Sequence, residues 1–391
     1  MSTNIQKNQI TEGIIWRQLL LFFFPILLGT FFQQLYNTID SVIVGQFVGK
    51  EALAAVGGSS AQIVAFVVGF FTGLSSGASV TIAQFFGAKD SRSANKGLHT
   101  AYAIAAFGGL ILTVSGIILT PFLLEMMNTP ADIVADSAVY LRIYFAGIIF
   151  VLIYNMGSAI LRATGDSKRP LYYLIVCCII NIVLDVLFVI VFHMGVMGVA
   201  VATLIAQAVS AVLVTLKLMR SEDILKLSVK QIRFHGSILK MQLKLGLPTG
   251  FEAILFSITN IAIQSAVNTF GTDTTAAWSA YGKLDAIFWM VSTAFGIAIT
   301  TFVGQNYGAG KMDRVRKSTR VCLLMDFIVS AVLVVFLIAA RFLLFRLFTN
   351  DSHVIEIGCD MLVLITPWYI VYVFIELSPE RCAESETSSF R

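Results

Sequence analysis

Charge is scarce in this chain. Of its 391 residues only 13% are Asp, Glu, Lys or Arg, against 57% hydrophobic, whereas soluble domains carry about a quarter charged residues. That shortage excludes a single water-soluble globule. The chain has 4 histidines, and His99 and His193 lie beside loops without metal-ligating neighbours. The 5 cysteines, Cys177, Cys178, Cys322, Cys359 and Cys382, show no metal-ligand spacing, and the first four read as small hydrophobic filler in apolar runs. There is no phosphate-binding Gly-rich loop, no Ser/His/Asp arrangement and no metal-ligand cluster, so nothing points to an enzyme or to a bound cofactor. The net charge of +4 comes from basic residues between apolar runs with little aromatic interleaving, which argues against a nucleic-acid partner. The first fifteen residues hold no short apolar segment ending in a small-residue cleavage site, so the first span itself is expected to direct insertion.

What the chain has in abundance is continuous apolar sequence. The runs reach about 20 residues, the length a helix needs to cross about 30 Å of hydrocarbon. They lack the alternation of a membrane β-barrel. Ten segments are read, at about 17–46, 52–86, 97–124, 135–161, 170–192, 195–217, 243–269, 275–306, 319–348 and 354–376. The fold class is an all-α polytopic membrane protein embedded in a lipid bilayer. Lys and Arg cluster in every second connection: Lys89, Arg92 and Lys96; Arg162, Lys168 and Arg169; Lys217 through Lys244; and Lys311 through Arg320. The alternate connections are nearly bare of positive charge, which places the amino terminus in the cytoplasm and the protein in the inner (plasma) membrane. Two readings stay open for the polar connection from Arg220 to Lys240: an amphipathic interfacial helix, or a solvated linker with some helix.

The sequence repeats itself. Gln84, Gly87 and Ala88 recur as Gln305, Gly308 and Ala309, each displaced by 221 residues (84 to 305, 87 to 308, 88 to 309). Pro25 and Asn37 pair with Pro248 and Asn260 at a displacement of 223 (25 to 248, 37 to 260). Six spans separate the copies, so this is a parallel repeat of two pseudo-symmetric lobes. The expected organisation is an amino-terminal lobe of six spans at 1–217, a cytoplasmic linker at 218–242 and an incomplete carboxy-terminal lobe of four spans at 243–376. Beyond lies a polar tail at 377–391. That tail abruptly loses membrane character. Codons compatible with it, read two bases later, give Thr-Phe-Ser-Gly-Ala-Leu-Arg-Gly followed by Ile-Gly-Asp. This is close to Gly157-Ser-Ala-Ile-Leu-Arg-Ala-Thr-Gly-Asp166 of the first half. The expectation is a frameshift that ends the chain early, and reading the gene past this point tests it.

Ionisable groups inside apolar spans cost about 2.5–3.5 kcal/mol on insertion scales, so each is a functional candidate. Gln33, Gln34, Tyr36, Asn37 and Asp40 lie together in the first span. Of these, Gln33, Tyr36, Asn37 and Asp40 follow helical spacing and form a polar stripe expected to face a cavity. Asn181 and Asp185 stand four apart on one face of the fifth span and are positioned to meet Asp40. Two carboxylates in a low-dielectric pocket repel each other, so at least one is expected to take a proton near neutral pH. The same oxygens, with Thr203, are an alternative ligand set for sodium; a cluster that only fixes packing is the third reading. Glu252, Asn260 and Gln264 are candidates for a substrate route in the second half. Lys283 and Asp285 cannot face each other on one helix and need partners elsewhere. Pro25 and Pro248, at matching places in the repeat, are candidate gating elements because proline loosens a helix.

With these residues in view, the chain resembles the multidrug and toxic compound extrusion (MATE) transporters over about residues 10–376. The features that carry the resemblance are Gln33-Gln-Leu-Tyr-Asn-Thr-Ile-Asp40, Gly304-Gln-Asn-Tyr-Gly-Ala-Gly310, Leu161-Arg-Ala-Thr-Gly-Asp166 and the Asn181/Asp185 pair. The resemblance implies twelve spans in two six-helix lobes around a cleft, and export of organic cations against an inward flow of protons or sodium. It implies that Asp40, Asn181, Asp185 and Thr203 form the amino-lobe coupling-cation site. It also implies that Pro25 is the bending proline and Glu252 a carboxylate of the carboxy-lobe route. The ending after Phe374 departs from the pattern, which puts the last two spans and activity in question. The expected function is therefore a monomeric, cation-coupled antiporter of drug-like small molecules, working by alternating access with the ion gradient as its energy source. A flippase for lipid-linked saccharides and an inactive truncated product are the alternatives.

Overall fold

The computed structural model of the protein describes residues 9–221, 225–349 and 351–376; the polar tail and its frameshift reading lie outside them. Among the described residues all regular structure is helical, and 10 helices are long and apolar enough to cross a membrane. In chain order the elements are α1 (Gln9–Glu12), α2 (Ile15–Phe47), α3 (Lys50–Gly57), α4 (Ser59–Gly87), α5 (Ser91–Met126), α6 (Val134–Ala163) and α7 (Lys168–Asp185). Then come α8 (Gly195–Met219), α9 (Gly236–Asn268), α10 (Thr272–Gly308), α11 (Met312–Arg346), α12 (Ser352–Ile365) and α13 (Tyr369–Glu376). The ten expected segments coincide with these helices. The helices run a few residues further at most ends, because polar residues at the membrane boundary continue the backbone hydrogen bonding.

Three spans are interrupted where apolar content alone predicted continuity. The second breaks at Gly58 between α3 and α4, where a Cβ would lie 2.6 Å from the Ala54 carbonyl oxygen, so only glycine fits there. The fifth is α-helical as far as Asp185 and then widens into a π-turn over Val186–Val191. The tenth is broken by the short helix Thr366–Trp368, which carries Pro367. The connection from Arg220 to Lys240 is not an interfacial helix in its described part. Its one regular element before α9 is the single turn Val229–Gln231. It docks instead through Leu225 and Leu227, both buried, and through side chains of α5. Asn95 Nδ2 donates to the Lys226 carbonyl at 3.1 Å, and the Ser228 N–H donates to His99 Nε2 at 3.0 Å.

The compact units do not follow the expected lobe boundaries. One unit is Leu28–Ile254; the other joins the residues up to Leu27 to those from Leu255 onward. Helices α2 and α9 each pass from one unit into the other, and Pro25 and Pro248 lie inside them shortly before the crossing points. Order along the chain assigns each helix to one lobe, but burial divides it. Phe22, Phe23 and Ile26 of α2 pack in a core with Phe288, Phe295 and Phe302, and Phe23 stacks on Phe295 at 4.1 Å between ring centroids. The first half of α9 packs in the 28–254 unit, on α4. A Cβ at Gly73 would fall 2.3 Å from Gly250 N, and one at Gly77 would fall 2.4 Å from Gly246 N. Small residues four apart on both helices thus bring the two backbones into contact. The rest of this unit is built on α5, α6 and α8, with Leu98, Phe145, Ile148 and Val214 fully or almost fully buried.

Candidate cation site

Three helices of the 28–254 unit contribute side chains to one buried polar cluster and a fourth, α6, adds half-buried ones, each as a pair four residues apart and so on one helix face. Tyr36 and Asp40 come from α2, Asn181 and Asp185 from α7, Thr203 and Gln207 from α8, and Tyr140 and Tyr144 from α6. Asp40 is 8% exposed, Asn181 1%, Asp185 0% and Thr203 7%. Asp40 and Asp185 are direct neighbours, and both lie within electrostatic reach of Tyr140. Thr203 Oγ1 bridges the cluster, 3.5 Å from Asp40 Oδ2 and 3.5 Å from Asn181 Nδ2, while Gln207 Nε2 donates to the Tyr36 hydroxyl at 3.4 Å. The π-turn begins directly after Asp185, and such local widening is frequent at functional positions in helices.

Several acceptor oxygens are left without a donor. Asp40 Oδ1, both carboxyl oxygens of Asp185, Asn181 Oδ1 and Gln207 Oε1 are buried without a hydrogen-bond partner. Among the described residues no Lys, Arg or His forms an ion pair with either carboxylate. A buried acceptor left unmatched costs about 1–3 kcal/mol, more when charged, so each of these oxygens calls for a donor or a cation. Oxygen atoms of this kind suit a proton shared between the carboxyls, or a hard cation such as sodium. Of the residues singled out in the sequence, Asp40, Asn181, Asp185 and Thr203 are therefore brought together, with Tyr36 alongside.

The remaining candidates fall elsewhere. The polar stripe of α2 splits: Tyr36 and Asp40 turn into the cluster, whereas Gln33, Gln34 and Asn37 are exposed. Glu252 and Asn260 are exposed on α9 and Gln264 is half-buried. The boundary between the compact units separates Glu252 from the other two.

Sequence reasoning did not single out Tyr140, Tyr144 or Gln207, although their four-residue spacing to one another or to Thr203 was a usable signal. It also missed a second polar network, in the other unit. There Asp285 accepts from Trp289 Nε1 at 2.9 Å and from the Tyr369 hydroxyl, which also meets the Tyr281 hydroxyl. These are the partners that Asp285 needed, and Lys283 is exposed. Asp326, fully buried, accepts from Ser330 Oγ at 3.1 Å.

Comparison with known proteins bears on what such a cluster serves. The profile of the MatE family matches residues 25–187 and 248–380. The probable multidrug resistance protein YoeA of Bacillus subtilis is 31% identical over 366 residues, covering 92% of this chain and 79% of that protein. YpnP of the same organism, also a probable multidrug resistance protein, is 32% identical, covering 80% of this chain and 69% of that one. An outward-facing multidrug resistance MATE transporter superposes with a TM-score of 0.90 at 22% identity over 99% of this chain and 87% of the other. A MATE structure in a bent conformation gives 0.90 over 99% and 86%.

Proposed function

We infer, since the chain belongs to the MATE family of multidrug efflux transporters, that it exports drug-like organic cations by antiport against protons or sodium bound at Asp40 and Asp185. It is a multi-pass membrane transporter and not an enzyme. The observation that carries the coupling assignment is the set of unmatched buried acceptor oxygens around two adjacent carboxylates with no basic partner among the described residues. A cation entering that cluster satisfies the orphaned oxygens and cancels the repulsion, so its binding free energy differs between conformations that enclose the cluster and conformations that open it. That difference is what a coupling ion needs in order to shift an equilibrium between states.

The rest of the proposal follows from chemistry and charge. Pro25 and Pro248 weaken α2 and α9 close to the points where each leaves one compact unit for the other, which makes them hinges for alternating access. In the 28–254 unit the exposed polar side chains within spans, Gln33, Gln34, Asn37 and Glu252, suit a hydrated substrate route rather than lipid; in the other unit exposed Asn260 and half-buried Gln264 are candidates for the same role. The alternation of basic connections orients the chain in the inner membrane with its amino terminus in the cytoplasm. The working unit is a monomer, and the transmembrane gradient of protons or sodium is the energy source. The test is efflux of a fluorescent organic cation from cells expressing the wild type, Asp40→Asn or Asp185→Asn. Each substitution is expected to abolish gradient-driven export. Export at the wild-type rate in both variants would refute the assignment.

A further inference from the structure

Where α4 ends and α5 and α9 begin, the 28–254 unit has a half-open cavity of about 360 Å³. It is lined by Ser93, Lys96 and His235 on its polar side and by Phe85, Ile238 and Met241 on its apolar side. We propose that this cavity is a binding site for the phosphate headgroup of an anionic phospholipid of the cytoplasmic leaflet, with the apolar wall receiving the start of an acyl chain. It is a different site from the cation cluster, and it rests only on the orientation proposed above.

The basic groups are arranged rather than merely present. The Thr100 hydroxyl donates to the Lys96 carbonyl at 2.9 Å, so toward His235 it acts as acceptor, taking the ring Nδ1–H at 3.1 Å and the backbone N–H at 3.3 Å. That fixes the tautomer, leaving His235 Nε2 to accept from Arg233 Nε at 3.3 Å. That bond ties exposed Arg233, which does not itself line the cavity, to the lining His235, and a guanidinium suits phosphate. Lys96 supplies the positive charge of the cavity wall. Burial, with Arg233, Lys96 and His99 around it, holds the His235 imidazole below its ordinary pKa, which keeps it neutral and able to accept from Arg233. Lys89, Arg92, Lys230 and Lys240 add positive charge from the same segments. The carboxylate at this end of α5, Asp90, is engaged with the Ser93 N–H at 3.1 Å. A site with cations on one side and Phe, Ile and Met on the other matches an amphiphile at a membrane boundary, and basic pockets at the cytoplasmic ends of spans recognise lipid headgroups in this way.

The experiment is native mass spectrometry of the purified full chain in detergent, titrated with phosphatidylglycerol or with zwitterionic phosphatidylethanolamine. The wild type is expected to retain phosphatidylglycerol preferentially. At about fivefold per basic residue, Lys96→Gln combined with Arg233→Gln should weaken retention roughly 30-fold. The control pair Lys230→Gln with Lys240→Gln, which removes equal charge from side chains that neither line the cavity nor bond to His235, should change it less than about threefold. Lys96→Arg, which keeps the charge and leaves the Arg233 fork in place, should retain most of the binding, so a loss in the Gln pair is not explained by change at position 96 alone. Millimolar inorganic phosphate should leave the bound lipid in place. Equal retention of the two lipids, an equal loss in the control pair, a loss in Lys96→Arg, or displacement by inorganic phosphate would each overturn the proposal.

Discussion

The seam between α4 and α9 offers a perturbation whose size can be worked out from geometry. Adding one methyl at Gly73 places carbon 2.3 Å from Gly250 N and 2.5 Å from its Cα. Both are backbone atoms, so no rotamer change relieves the clash. Ordinary contact begins at 3.4 Å, so α9 has to retreat by about 1 Å, and overpacking of that order costs about 1–3 kcal/mol. The same substitution gains about 1 kcal/mol in helix propensity. Gly282→Ala isolates that gain, because Gly282 lies within α10 and a Cβ there meets nothing within 4 Å. The expected difference between Gly73→Ala and Gly282→Ala is therefore about 2 kcal/mol. It should be visible as a lower unfolding midpoint in detergent for the first and an unchanged or higher one for the second. Gly77→Ala should resemble Gly73→Ala, and the double variant should fall short of the sum, since one opening of the seam accommodates both methyls. Equal midpoints for Gly73→Ala and Gly282→Ala would refute the close backbone approach.

Two further outcomes concern the start of α5 and the docked linker in the same unit. Asp90 caps α5 by accepting from the Ser93 N–H, and this holds its carboxyl below the usual carboxylate range; Asp90→Ala should cost about 1 kcal/mol, read as a lower unfolding midpoint at neutral pH that converges with the wild type in acid. The docked linker should loosen on acidification. The folded state lowers the His235 pKa, so below its ordinary value of about 6.5 the undocked linker binds more protons and docking weakens as pH falls. Hydrogen exchange corrected for intrinsic rates should show less protection of the Ser228 and His235 amides at pH 5.5 than at pH 7.5. Equal protection would contradict the linkage.

Much of this was legible in the sequence because lipid imposes a simple rule: each apolar run about 20 residues long becomes a helix that satisfies its own backbone. The ten spans followed from that, and so did the meeting of Asp40 with Asn181 and Asp185, since a charge in such a span has few other places to go. Interruptions were less visible, because a single Gly58 or Pro367 changes hydropathy very little. The transfer of α2 and α9 between units was hidden for a different reason. Phe22 and Phe23 are equally apolar whichever unit buries them, so only three-dimensional packing distinguishes the choices. The Gly69, Gly73 and Gly77 spacing in α4, repeated as Gly246 and Gly250 in α9, was a readable sign of close helix contact and the best available clue to that exchange. Asp285 illustrates the remaining limit: its partner Tyr369 is 84 residues away, and nothing local links them.

The most direct measurement is the affinity of the purified protein for a fluorescent organic cation as proton and sodium concentrations are varied separately. Raising one of the two ions should weaken drug binding in the wild type. That dependence should vanish when Asp40→Asn and Asp185→Asn are combined, while binding itself persists. A double variant whose drug affinity still follows the ion as in the wild type would contradict a coupling site at these two carboxylates.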